Sequence, residues 1–210
     1  MRNEVQDTVE VLVKRDVPAF ADRLRLPLVF DPDGLTRDLA RLGGVTWTRH
    51  FVEQNYSGDW SVIPLRGPAG ETHPVRMIYP NPTAREFDDG PLLAETPYFR
   101  EVLGRFAAPL RCVRLMRLTP GSQIKTHSDL DLDFELGTVR IHIPIASNPG
   151  VEFLLNGAPV AMALGEAWYL RLSDPHSAAN RGSSDRVHLV IDADANDWLG
   201  ELFREAAAGA

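Results

Sequence analysis

A mainly β protein, folded as a double-stranded β-helix (jelly-roll) with helices packed outside, is what the sequence predicts, on three observations. The second half is a succession of short apolar segments rich in β-branched and aromatic residues. Turn-forming pairs interrupt them every few residues, the spacing of a sandwich or barrel and not of a βαβ sheet. Helical periodicity is confined to short stretches before this region and after it.

The chain has 210 residues, which fits one domain. Residues 1–44 read as helical or irregular. Within them, residues 1–25 mix charges with Val11, Leu12 and Val13 and fit a helix or an arm. Asp33-Gly34-Leu35 opens a helix whose Leu35, Leu39 and Leu42 share one face, and Gly43-Gly44 stops it.

Residues 45–192 are the expected jelly-roll core. Strands are predicted over 45–48 and 60–65, bounded by Asn55-Tyr56-Ser57-Gly58 and Gly67-Pro68-Ala69-Gly70. Residues 79–97, with Pro80, Pro82, Pro91 and Pro97, read as a long rigid surface loop, followed by a short helix over 98–106. Further strands are predicted over 111–118, 139–145, 151–155, 160–162, 167–170 and 186–191. Asn156-Gly157 predicts a tight hairpin, because the two-residue turn that matches strand twist needs positive φ at both positions. Residues 193–210 hold a C-terminal helix over 196–208 with Trp198, Leu199 and Phe203 on its apolar face.

Composition narrows the function. Hydrophobic residues at 44% and charged residues at 24% are ordinary globular values, which argues against wholesale disorder. The net charge is −7 with no Lys/Arg cluster, so no nucleic-acid partner is expected. The single Cys112 excludes an internal disulfide and the multi-Cys zinc patterns, and its apolar neighbours mark it as a small buried hydrophobe. The first residues are acidic and lack an apolar signal-peptide core. No apolar run reaches the roughly 18 residues of a membrane span. A cytoplasmic location without a membrane partner is the expectation.

The chemistry is expected around His127-Ser128-Asp129. In an extended segment residues i and i+2 point the same way, so an imidazole nitrogen and a carboxylate oxygen can converge on one cation. His176, 47 residues beyond Asp129, lies where the chain returns after the predicted hairpin. Two histidines and one carboxylate form a facial triad with open positions, the arrangement suited to non-haem iron(II). Arg186 follows His176 by ten residues at the start of a strand. A guanidinium buried there needs an anion, and its fork matches a carboxylate such as the distal one of 2-oxoglutarate. The plainer alternative is a rim arginine paired with Asp185 or Asp192.

Five segments in order carry a family resemblance: His127-Ser128-Asp129; Arg140-Ile141-His142-Ile143-Pro144; Gly165-Glu166-Ala167-Trp168-Tyr169-Leu170; residues 176–182; and residues 185–192. Together they resemble the aspartyl/asparaginyl β-hydroxylases, which are similar to the bacterial cis-3 and cis-4 proline hydroxylases. A fainter echo lies in residues 56–65. The resemblance implies a cupin-like jelly-roll that uses iron(II) and 2-oxoglutarate. It matches His127, Asp129 and His176 to the metal ligands and catalytic centre, and Arg186 to the arginine that clamps the co-substrate. Arg140 and His142 match a basic pair that contacts either the co-substrate or the substrate's carboxylate. His188 alternates with Arg186 and either shares its face or is a satisfied core histidine; Trp168 reads as core. The animal members lack the carboxylate ligand, and related halogenating oxygenases replace it with a small residue, so Asp129 points to hydroxylation.

The expected activity is therefore hydroxylation of an unactivated C–H, consuming O2 and releasing succinate and CO2. The expected substrate is an amino acid, an amino-acid derivative, or an Asp/Asn residue in a peptide, bearing a carboxylate. Arg114 or Arg117 are further candidates for holding it, and residues 79–97 and 55–59 are candidate lids. The alternatives are a cupin-like metalloenzyme that does not use 2-oxoglutarate and a non-catalytic jelly-roll binding module.

Overall fold

The computed structural model describes residues 19–79, 81, 83–129 and 131–209. The expectation of a helix or arm around Val11, Leu12 and Val13 lies outside them, as do Pro80 and Pro82 of the expected loop. In chain order the elements begin with β1 (Arg23–Val29), α1 (Pro32–Arg41), β2 (Thr48–Arg49), β3 (Tyr56–Ser57), β4 (Trp60–Pro68), α2 (Pro74–Ile78), β5 (Phe87–Asp89), α3 (Pro91–Ala94) and α4 (Pro97–Leu103). The second half holds β6 (Leu110–Leu118), β7 (Gln123–His127), β8 (Thr138–Ala146), β9 (Val151–Leu155), β10 (Ala158–Pro159), β11 (Glu166–Leu170), β12 (His176–Asn180), β13 (Arg186–Asp194) and α5 (Asp197–Ala208).

Two antiparallel sheets form the jelly-roll. The larger has the order β1-β11-β8-β13-β6-β4-β2, with β5 added beside β4; the smaller runs β10-β9-β12-β7-β3. The long central strands are buried on both faces. Their two faces nonetheless differ in kind. Ile141, Ile143, Leu189, Ile191, Val113 and Leu115 point outward into one core, which α1, α4 and α5 cover with Leu35, Phe99 and Phe203. The opposite face, toward the smaller sheet, carries Arg140, His142, Arg186, His188, Arg114 and Asp192 beside a second apolar cluster containing Met116, Val62 and Phe153.

Local signals explain most ends. Asp31 caps α1 by accepting from the amides of Asp33 and Gly34 at 3.0 Å each, with Pro32 in the first turn. Asn196 caps α5 through the Leu199 amide. Asn156 and Gly157 stand at φ of 53° and 73°, the turn their pair predicted between β9 and β10.

Three expectations need correction. Residues 23–29, expected to be helical or irregular, form β1 and pair with β11 at the sheet edge. Their side chains alternate between exposed and buried, a period-2 signal that the charges of Arg23 and Arg25 masked. Residues 79–97 are not a plain surface loop: they contain β5 and α3, and Leu93 is buried in the outer core. The strand expected over 160–162 is replaced by the short β10 just before it.

Candidate active site

His127 ends β7 and faces His176, which opens β12; the two are cross-strand partners. An irregularity in β7 makes this possible. His176 and Ala178 are two residues apart, but their partners His127 and Ile124 are three apart, so β7 carries a bulge. Without the extra residue, alternation would send Ile124 and His127 to opposite faces; the bulge turns both inward, a common use of bulges beside functional sites. The ring centroids of the two histidines lie 4.3 Å apart.

Both imidazoles are oriented by the backbone. His127 Nδ1 lies 2.8 Å from the Lys125 carbonyl and His176 Nδ1 lies 3.0 Å from that of Asp174. A carbonyl only accepts, so each Nδ1 carries a proton and each ring turns its Nε2 toward the site. Asp129 sits just past β7, its amide bonded to the Leu172 carbonyl, with Oδ1 3.8 Å from His127 Nε2. One ligand atom from each of His127, Asp129 and His176 falls within 4.8 Å of the others. Burial, partly opposed by the Asp174 carbonyl, pushes His176 down to about 4, so it is neutral and able to ligate at physiological pH. Two imidazole nitrogens and a carboxylate oxygen, all pre-oriented, fit a divalent first-row metal.

The triad opens on a narrow cleft of about 40 Å³, walled by Trp60, Met116, Ile124, Phe153 and Leu172 and by the polar groups of Arg140, His142 and Arg186. Arg186 is 2% exposed and has no carboxylate partner among the described residues. Burial alone lowers it to about 10, which still leaves it a cation. Its Nη2 donates to His188 Nδ1 at 3.1 Å. His188 therefore shares the inner face with Arg186 and acts as an acceptor, and burial followed by the Arg186 charge keeps it neutral. His142 is buried with neither ring nitrogen bonded to any of the described residues, and burial and then Arg186 hold it well below the usual histidine value.

Arg140 is placed differently. Its Nη1 donates to Asp129 Oδ2 at 2.8 Å, while Nε and Nη2 bind the two oxygens of Asp192 at 2.6 and 3.0 Å. Arg114 is buried behind it, also on Asp192. Arg117 points to the opposite face of the sheet, its guanidinium 4.6 Å over the Trp47 ring, and so does not serve the cleft. The 55–59 turn is no free lid either: β3 pairs with β7, and the Asp59 amide donates to Ser122 Oγ at 2.8 Å. Trp168 bonds Glu166 at the strand edge and is not part of the cleft wall.

Sequence reasoning passed over Trp60 and His50. His50 lies flat on the Trp60 indole at 3.6 Å and stacks on Phe51 at 4.7 Å. Trp60 in turn lies 6.4 Å from the His127 ring. Only the 56–65 echo hinted at Trp60, and nothing in sequence spacing ties His50 to it.

A profile of the aspartyl/asparaginyl beta-hydroxylases matches residues 46–195. The chain belongs to this family. Among curated relatives, L-proline cis-4-hydroxylase of Rhizobium meliloti (strain 1021) is 28% identical over 177 residues, covering 83% of this chain and 61% of the relative. L-proline cis-3-hydroxylase 1 of a Streptomyces species is 25% identical over 170 residues, covering 77% and 56%. The chain thus spans roughly three-fifths of the length of the curated relatives it matches. A 2OG-Fe(II) oxygenase family oxidoreductase of Burkholderia pseudomallei aligns with a TM-score of 0.53 at 18% identity, over 84% of this chain and 86% of that one. At that identity the likeness speaks for the fold, which is the jelly-roll described above.

Proposed function

We propose that the cleft binds iron(II) through His127, Asp129 and His176, takes 2-oxoglutarate as co-substrate, and hydroxylates an unactivated C–H of an amino acid, an amino-acid derivative or an Asp/Asn residue in a peptide. The observation that carries this reading is Arg186. A buried cation without a counter-ion is costly, and here it stands in the cleft that the triad opens on. A dicarboxylate with one end on the metal supplies the missing charge with the other.

Bound there, iron(II) and 2-oxoglutarate supply O2-dependent oxidative decarboxylation, with succinate, CO2 and a hydroxylated substrate as products. The remaining work falls to this chain's side chains. Arg186 anchors the distal carboxylate, and His188 holds the guanidinium in place. His142, neutral and unpaired, offers a polar contact to the bound anion. Trp60, Met116, Phe153 and Leu172 keep water from the reacting carbon. The retained Asp129 favours hydroxylation over halogenation. The proline hydroxylases among the relatives support a small carboxylate-bearing substrate, and the acidic chain without a basic cluster supports a cytoplasmic enzyme without nucleic-acid or membrane partners. No helix among the described residues is long and apolar enough to cross a membrane.

The test is anaerobic reconstitution with iron(II), then admission of O2 with 2-oxoglutarate and a panel of amino acids, derivatives and short peptides that includes L-proline. Succinate release coupled to a product heavier by one oxygen atom is expected. Iron binding with no substrate-stimulated succinate across the panel rejects the reading.

A further inference from the structure

A buried ladder of alternating charge crosses the inner face of the larger sheet and ends on Asp129. Arg114 on β6 donates from Nη1 to Asp192 Oδ2 at 2.9 Å. Asp192 on β13 is the direct cross-strand partner of Arg140 on β8 and receives both Nε and Nη2 of that guanidinium. The other arm of Arg140, Nη1, reaches Asp129 Oδ2. Arg114 is 1% exposed and Asp192 8%, so these charges interact with little solvent screening. Two arginines and two carboxylates also balance, and the ladder brings no net charge to the cleft.

We propose that Asp192 is a positioning residue for the metal: by gripping Arg140 it commits that guanidinium to Asp129, ties back Oδ2, and leaves Oδ1 aimed at the ion beside His127. The proposal rests on the metal-binding reading of the triad. It gives Arg140 a different task from Arg186. Arg140 is held between two carboxylates and serves the ligand shell, whereas Arg186 has none and serves an incoming anion. Without Asp192, Arg140 loses the partner that fixes its plane and is free to swing toward the cleft. Asp129 then regains rotamers that a ligand must give up on binding. Carboxylates and their partners behind a metal ligand commonly change metal affinity by about 10–100-fold when removed.

The experiment measures Co(II) binding to metal-free protein by calorimetry, with the visible Co(II) absorption as a second readout. Asp192→Asn is expected to bind Co(II) about 10–100-fold more weakly, with an altered absorption band. In an Asp129→Ala background the same substitution is expected to change affinity by at most about twofold, because its route to the metal is gone. Arg140→Lys keeps a positive charge but cannot span both carboxylates; it is expected to weaken Co(II) binding too, and it carries the test if Asp192→Asn does not fold. Unchanged Co(II) affinity in the folded variants, or an equal loss with and without Asp129, overturns the proposal. Co(II) binding that depends on His127 and His176 but ignores Asp192 overturns it alone. Co(II) binding that ignores His127 overturns the metal reading with it.

Discussion

Replacing Arg186 by methionine separates a binding role from a structural one, because the two predict opposite signs. The guanidinium is 2% exposed, lines the cleft and has no carboxylate partner among the described residues, and burial lowers its pKa to about 10. A depression of that size corresponds to roughly 3 kcal/mol of penalty for keeping the charge in the ligand-free fold. Methionine fills similar space without the charge. Lost packing and the lost bond to His188 subtract from the gain, so metal-free Arg186→Met is expected to be as stable as the parent or more so, by up to about 2 kcal/mol. Binding moves the other way. Removing the cationic half of a buried carboxylate pair costs about 2–5 kcal/mol, so 2-oxoglutarate affinity falls about 30- to 4,000-fold. Urea denaturation of metal-free protein gives the first quantity and calorimetry with Mn(II)-loaded protein the second. A variant that is clearly less stable yet binds 2-oxoglutarate as before refutes the assignment, and Arg186 is then a structural residue.

Other consequences follow from the same geometry. Saturating Co(II) at about 100 times its dissociation constant should stabilise the parent by about 2.7 kcal/mol, and His127→Ala or His176→Ala should abolish that increment in thermal melts. Asn180 is fully buried and binds the carbonyls of Leu118 and Ser184 while accepting from Asn148 and Gly182. Asn180→Ala should therefore cost about 2–4 kcal/mol in urea denaturation. His50 is held to about 3, by burial first and then by Arg114, Arg140 and His127, so the unfolded chain takes up its proton before the folded one does. Stability from this group is full above pH 6.5 and is lost as pH falls from there toward about 3, at roughly 1.4 kcal/mol per unit. His50→Phe keeps the stack, and its Tm should fall less between pH 7 and pH 5 than the parent's.

The fold was legible where side-chain period and turn chemistry agree. Asn156-Gly157 predicted its turn, and the long strands around Ile143 and Leu189 announced themselves by their β-branched residues. What stayed hidden depends on contacts between distant segments. β7 and β12 were not read as strands, since Gln123, Lys125 and Thr126 or Ser177 and Ala178 look like loop composition until β9 supplies a partner. The bulge that turns His127 inward cannot be read from one strand, because it exists only as a mismatch between two. Among the site residues, the spacing of His127 and Asp129 indicated a shared face, but the separate fates of Arg140 and Arg186 were illegible. Both are arginines on inner-face strands, and only the positions of Asp192 and Asp129 distinguish them.

The polar groups of the cleft and the larger apolar core lie on opposite faces of the larger sheet. Along β13 the inward set Arg186, His188 and Asp192 loses hydration on folding, and burial holds His188, like His142 on β8, well below the usual histidine value. Each such group opposes folding by an amount comparable to the burial of one large apolar side chain, about 1–3 kcal/mol. The outward set on the same strand, Leu189, Ile191 and Ala193, packs against α5 and β1 residues including Phe203 and Leu26. That face supplies the stability that the inner face consumes. A substitution that trims Ile191 or Phe203 is then expected to act on the cleft indirectly, by loosening the strand from which Arg186 and Asp192 project. Replacing His188 by an apolar residue of similar size should instead leave stability intact or raise it, while releasing Arg186 from its orienting contact. Stability and co-substrate affinity should therefore move together for changes on the outward face of β13 and apart for changes at Arg186 and His188 on its inward face.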